Sequence, residues 1–213
     1  MAFVNKRPGT GPATGRRRGP RTAPWHGRVA VLLWLALLPA VAPADPYRLT
    51  AWPAGAPSPD FTLRDGSGRV VSLASYQGTV LAVYFGFAHC PDACPAMLGK
   101  LKVARARLGR DAARTRVLFI SLDPGRDSPA VLADYARAFG PGVIALSGSP
   151  AEIDRAAHDF FVQYAHVPEG EGYTIDHSTG VFLLDAAGRL RLVGTAGASV
   201  DDLAHDLHQL LSD

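Results

Sequence analysis

Residues 80–95 read VLAVYFGFAHCPDACP. Val80–Phe87 is an unbroken apolar, β-prone run, the pattern of a central strand covered on both faces. It runs directly into Cys90 and Cys94. Beyond them Met97, Leu101, Ala104 and Leu108 recur at helical spacing, with Lys100, Lys102, Arg105 and Arg107 off that face. Cys90-Pro91 has the form of an N-cap followed by proline at N1, so the helix is expected to open at Cys90. A sulfur there would feel the positive end of the helix dipole, which favours thiolate. Helical geometry would set Cys94 about 40° round the axis from Cys90, with both sulfurs to one side.

Working outward, Phe61–Leu63 and Val70–Leu73 flank the turn Asp65–Gly68, an N-terminal β-hairpin. Val117–Leu122 is a second buried-type strand. Ser128-Pro129 caps a helix with Val131, Leu132, Tyr135 and Phe139 as its stripe. Val143–Leu146 is a short strand. Ser149 and Glu152 form a capping box for a helix whose face is Ile153, Ala157, Phe160 and Phe161. Residues 163–176 read as an irregular connection. Val181–Leu184 and Leu190–Val193 flank Ala186–Gly188 as a hairpin. Ser199 and Asp202 cap a last helix with Val200, Leu203, Leu207 and Leu210 inside. Alternating units of this kind give an α/β domain of three layers with a central mixed sheet. A strand feeding a cysteine pair at a helix start, with a terminal hairpin and helix, points to a thioredoxin-like fold.

The chain has 213 residues, 47% hydrophobic and 19% charged, which excludes a wholly disordered chain and a multi-span membrane protein. Residues 1–44 carry seven of the 22 Lys and Arg and none of the 19 Asp and Glu. The remainder therefore has 15 bases against 19 acids, about −4, and gives no support to a phosphate-binding surface. Within 1–44, a basic stretch precedes the apolar run Val29–Leu38, and Ala42-Pro-Ala44 follows. This is the layout of a secretory signal peptide, or of a short N-terminal membrane anchor, and both deliver the body outside the cytoplasm. Residues 45–58 read as a linker and 59–213 as the folded domain.

Cys90 and Cys94 are the only two cysteines. They are too few for a disulfide scaffold and suit a local redox or metal device. A structural bridge between them would close a tiny loop and remove little unfolded-state entropy. Two thiolates are soft donors, suited to Cu(I), or to Zn(II) if completed to four ligands. A third ligand is needed. Among the histidines, His158 and the His205/His208 pair read as solvated helix faces. His177, in Asp176–Gly180 just before a strand, is the preferred candidate and His89 the second. A Cys90, Cys94, His177 set would hold Cu(I) in three coordination, open to a partner's ligand.

Three blocks then resemble the Sco/SenC family: GFAHCPDACP at 86–95, SLDPGRDSP at 121–129 and DHSTGVFLLDAAG at 176–188. The likeness covers roughly residues 57–211. It implies a thioredoxin-like domain binding one copper, as Cu(I) or Cu(II), through Cys90, Cys94 and His177. It also implies a metallochaperone, not an enzyme, on the periplasmic side of a membrane or in an intermembrane space. The implied partner is subunit II of cytochrome c oxidase, whose binuclear copper centre it would load, or another apo copper protein. The middle block supplies Asp123, Arg126 and Asp127, expected to pair with one another near the site. The competing reading is a thiol–disulfide oxidoreductase cycling Cys90 and Cys94 to reduce an apo copper protein. Ordinary thioredoxins resemble C-x2-C proteins with a cis-proline opposite, whereas this chain has C-x3-C with Asp176-His177 in the matching loop. A peroxidase is disfavoured because Val83–His89 lacks both Pro and Thr.

Overall fold

The computed structural model describes residues 46–213. An eight-stranded mixed sheet runs through the domain in the order β1-β10-β9-β4-β5-β6-β2-β3. In chain order these are β1 (Thr50–Ala51), β2 (Thr62–Asp65), β3 (Val70–Ser72), β4 (Val80–Gly86), β5 (Thr115–Ser121), β6 (Val143–Ser147), β9 (Val181–Leu184) and β10 (Leu190–Gly194). β4, β5 and β6 are parallel, and β9 pairs antiparallel to β4. Among the described residues four α-helices flank the sheet: α1 (Ala93–Ala106), α2 (Pro129–Phe139), α3 (Pro150–Asp159) and α4 (Val200–Ser212).

All seven residues of β4 are buried. The strand's period of two divides them between two cores. Val80, Ala82 and Tyr84 join Leu98 and Leu101 of α1, Leu132 of α2 and Leu203 and Leu207 of α4. Leu81, Val83 and Phe85 join Ile153 of α3, Phe160 and the β2 residue Leu63 on the other face. Each large side chain so buried contributes roughly 1.5–3 kcal/mol of transfer free energy. The expected three-layer, thioredoxin-like arrangement with its N-terminal hairpin is what the chain adopts.

Three local expectations are corrected. Helix α1 opens at Ala93, with Asp92 as N-cap, and not at Cys90. The Cys90 N–H instead donates to Phe87 O, closing a turn after β4. Pro95 sits inside the first helical turn, where its missing N–H is no loss because such groups lack intrahelical partners. Val131 and Phe161 leave their stripes and are exposed. α3 ends at Asp159, and Phe161 takes a left-handed φ of 56° that turns its ring outward against Trp52.

The largest correction concerns residues 163–176. They form a second, two-stranded antiparallel sheet, β7 (Tyr164–Glu169) and β8 (Gly172–His177), turning at Gly170-Glu171. Its side chains are mostly exposed, so it carries no buried stripe for a sequence pattern to show.

The stretch read as a linker is docked. β1 pairs with β10, and the Arg48 and Leu49 N–H groups donate to the buried Asp206 carboxylate of α4 at 2.7–3.1 Å. The expected signal or anchor, residues 1–44, lies outside the described residues. Among the described residues no helix is long and apolar enough to cross a membrane.

Candidate metal centre

The site begins where β4 stops. Cys90 is half-buried on the turn after that strand, and Cys94 is fully buried in the first turn of α1. Both thiols are free. The Cys94 N–H points at Cys90 Sγ, 3.4 Å away. This contact takes up one of the donors that a helix N-terminus leaves open.

Cys94 sits in a small chamber. A Cβ on Gly86 would stand 2.6 Å from Cys94 Sγ and 2.9 Å from the Phe119 ring, so only glycine ends β4 without displacing the sulfur. The Tyr84 hydroxyl donates to Cys94 Sγ at 3.9 Å. Burial pushes the Cys94 thiol up to about 12 and outweighs the donors that favour its thiolate. Cys90 itself stands outside the helix, and only its sulfur meets the helix start, at the Cys94 N–H. Tyr84 and Tyr135 are also driven upward, first by burial and then by the nearby cysteines, and stay protonated.

His177 arrives from the opposite direction, as the last residue of β8. Its Nε2 lies 4.0 Å from Cys94 Sγ. Its Nδ1 lies 2.9 Å from Ser178 O. A carbonyl oxygen only accepts, so Nδ1 carries the proton and the Nε2 lone pair is left facing the sulfur. The imidazole is walled edge-on by Tyr84 and Phe87, with ring centroids 6.4 and 6.2 Å away. An open depression of about 430 Å³, lined by Gln163, Tyr164, Asp176, His177 and Ser178, gives solvent access to this side of the site.

The chemistry of this donor set fits one soft ion. Metal–sulfur and metal–nitrogen bonds of about 2.3 and 2.0 Å, as for zinc, together reach across 4.0 Å. Two sulfurs and one neutral imidazole suit Cu(I) better than a hard cation.

Thus His177 Nε2 approaches Cys94 Sγ, and Cys90 Sγ meets the Cys94 N–H. The second histidine candidate, His89, is turned away to Asp127 Oδ1, 3.0 Å distant. His158 and His208 are exposed, and His205 bonds Pro46 O. Of the middle block, Arg126 pairs with Asp123 as expected, but Asp127 pairs with His89 and Ser121 instead. Sequence reading missed the roles of Tyr84, Gly86 and Ser178 O. The first two read only as strand residues, and a backbone carbonyl leaves no signal in a sequence.

A family model described as SCO1/SenC matches residues 53–212. The mitochondrial SCO2 homolog of Bos taurus is 38% identical over 133 residues, which is 61% of this chain and 50% of that protein. The chain thus spans about half to two thirds of the length of the curated relatives it matches. The copper-bound structure of ScoI from Bradyrhizobium japonicum shares 34% identity at a TM-score of 0.67, covering 73% of this chain and 100% of that one. The structure of BsSco, described as having a disulfide switch and as a member of the Sco family of cytochrome c oxidase assembly proteins, shares 26% identity at a TM-score of 0.59. It covers 76% of this chain and 96% of its own.

Proposed function

The chain belongs to the SCO1/SenC family, and from that premise we propose that it is a copper carrier, with Cys90 Sγ, Cys94 Sγ and His177 Nε2 as ligands. The observation that carries this reading is the Nε2 lone pair facing Cys94 Sγ at 4.0 Å, with Nδ1 held by Ser178 O. Copper is cargo here. It is released by ligand exchange, in which an incoming donor joins the ion before one of the three leaves. Half-buried Cys90 and His177 are the accessible ligands, while buried Cys94 keeps its hold. The copper-bound relative supports the choice of metal.

The receiving protein in this reading is a copper protein of cytochrome c oxidase assembly, most specifically the binuclear centre of subunit II. Delivery takes place on the periplasmic side of a membrane. The domain is exported behind residues 1–44, as a signal or an anchor, and mass spectrometry of the purified protein distinguishes an N-terminus at Met1 from one near Asp45.

A second reading shares the same sulfurs. Cys90 Sγ accepts from Cys94 N–H, so the two thiols are neighbours able to close a disulfide, and a solved relative carries a disulfide switch. In that reading the dithiol gives two electrons and two protons to a disulfide of the apo target, leaving Cys90–Cys94 oxidised. Titration of the reduced protein with Cu(I) separates the two. One tightly held copper per chain, dependent on His177, supports carriage. Fast disulfide exchange with weak, His177-independent copper binding supports the reductase.

A further inference from the structure

The stretch Ser121–Asp127 supplies no ligand to this site, yet Asp123 and Asp127 are each only 1% exposed. Their bonds run in two directions. Asp123 Oδ1 accepts from the Tyr173 hydroxyl at 2.9 Å, and Asp123 Oδ2 accepts from Arg126 Nε. Arg126 Nη1 in turn donates to Tyr173 O at 2.8 Å, and its guanidinium lies 3.8 Å over the Tyr173 ring. Tyr173 belongs to β8, the strand that ends in His177. Asp127 faces the other way. Its Oδ2 accepts from Ala88 N at 2.8 Å and Ser121 Oγ at 2.6 Å, and its Oδ1 faces His89 Nδ1. Ala88 and His89 form the turn that carries Cys90.

We propose that Asp123 and Asp127 are positioning residues that fix the two halves of the copper site from one loop, Asp123 holding the His177 strand and Asp127 holding the Cys90 turn. The proposal rests on the copper-site reading above. The exposed β7–β8 sheet has little core of its own to hold it, so buried, charge-assisted bonds at Tyr173 are a main tether. His89, Asp123 and Asp127 approach one another closely enough to suggest a cation site of their own. Their oxygens are already engaged by Arg126, Tyr173, Ser121 and Ala88, so the cluster acts as a clamp.

The test uses the full chain, reduced, in Cu(I) competition against a chromophoric chelator, with Asp123→Ala and Asp127→Ala each made in the parent and in His177→Ala. Asp123→Ala is expected to weaken Cu(I) binding about tenfold in the parent and less than about twofold once His177 is absent, because it acts through that residue. Asp127→Ala is expected to cost about the same in both backgrounds, because it acts through Cys90. Equal losses for Asp123→Ala in both backgrounds would overturn the proposal. Amide exchange of the metal-free protein gives a separate readout. Asp123→Ala should speed exchange across 164–177, and Asp127→Ala across 87–94. Uniform acceleration, or none, refutes the division of labour. If His177→Ala leaves Cu(I) binding unchanged, the ligand set itself is wrong, and exchange alone then decides whether the clamp exists.

Discussion

Cys94 Sγ and His177 Nε2 stand 4.0 Å apart although they are 83 positions apart in the chain. Each arrives on its own element, the sulfur on the first turn of α1 and the imidazole at the end of β8. The pairing is long-range and depends on the whole sheet being assembled. The turn after β4 and the first turn of α1 bring the two cysteines near one another without the histidine.

His177→Ala should therefore remove a ligand and spare the dithiol. We expect Cu(I) affinity to fall by at least about a hundredfold, above the ~10–100-fold typical of losing an outer-shell partner. The rate of Cys90–Cys94 disulfide formation should be unchanged. Chelator competition and thiol titration measure the two, and unchanged affinity would remove His177 from the site.

The two thiols should react at different rates. Cys90 is half-buried, whereas Cys94 is fully enclosed and its thiol is held protonated by burial. Alkylation of the reduced, metal-free protein at pH 8 should label Cys90 at least about tenfold faster, because thiolate and access both control the rate. Peptide mass spectrometry over a time course reads this, and equal rates would mean the Cys94 chamber opens readily.

Gly86→Ala should damage the site more than a methyl group suggests. The new Cβ meets Cys94 Sγ at 2.6 Å and Phe119 at 2.9 Å, and both neighbours sit in a packed core. Overpacking of this kind costs about 1–3 kcal/mol. The displaced sulfur should also change the thiolate-to-copper charge-transfer band of the Cu(II) form. Chemical denaturation and absorption spectra test the two effects, and an unaltered band would show that the sulfur has room to move.

A pH effect is expected at Asp185, in the turn between β9 and β10. Burial acts to raise its pKa, but bonds from Arg189 N–H, the Arg189 side chain and Arg191 outweigh it and hold the carboxyl below its ordinary 3.8. A lowered folded pKa means stability that is present above about pH 4 and lost as pH falls through the folded value. Asp185→Asn should cost about 1–2 kcal/mol at pH 7. The difference from the parent should shrink below about pH 3. Urea denaturation at the two pH values reports it, and a pH-independent difference would assign the effect to packing.

Much of this was legible in the chain. The apolar run from Val80 announces a strand buried on both faces, and the observed β4 is buried at every position. The Ser128, Ser149 and Ser199 caps stand where their side chains can meet an early helical N–H, and all three do so. Short-range rules misplaced the start of α1, because Cys90-Pro91 satisfies the statistics of a cap while its backbone is used in a turn with Phe87. They also missed β7 and β8, whose strands pair with each other and bury almost nothing.

Sequence alone determined the layered α/β architecture, the two neighbouring sulfurs and the family likeness, because periodicity, caps and a four-residue spacing are local properties of a chain. Tertiary structure alone decided which nitrogen of His177 faces Cys94, that Gly86 clears space for the sulfur, and that Asp123 bonds Tyr173 of β8 while Asp127 bonds the turn at Ala88. Those outcomes depend on distances between residues remote in sequence, which are fixed only when strands and helices have packed.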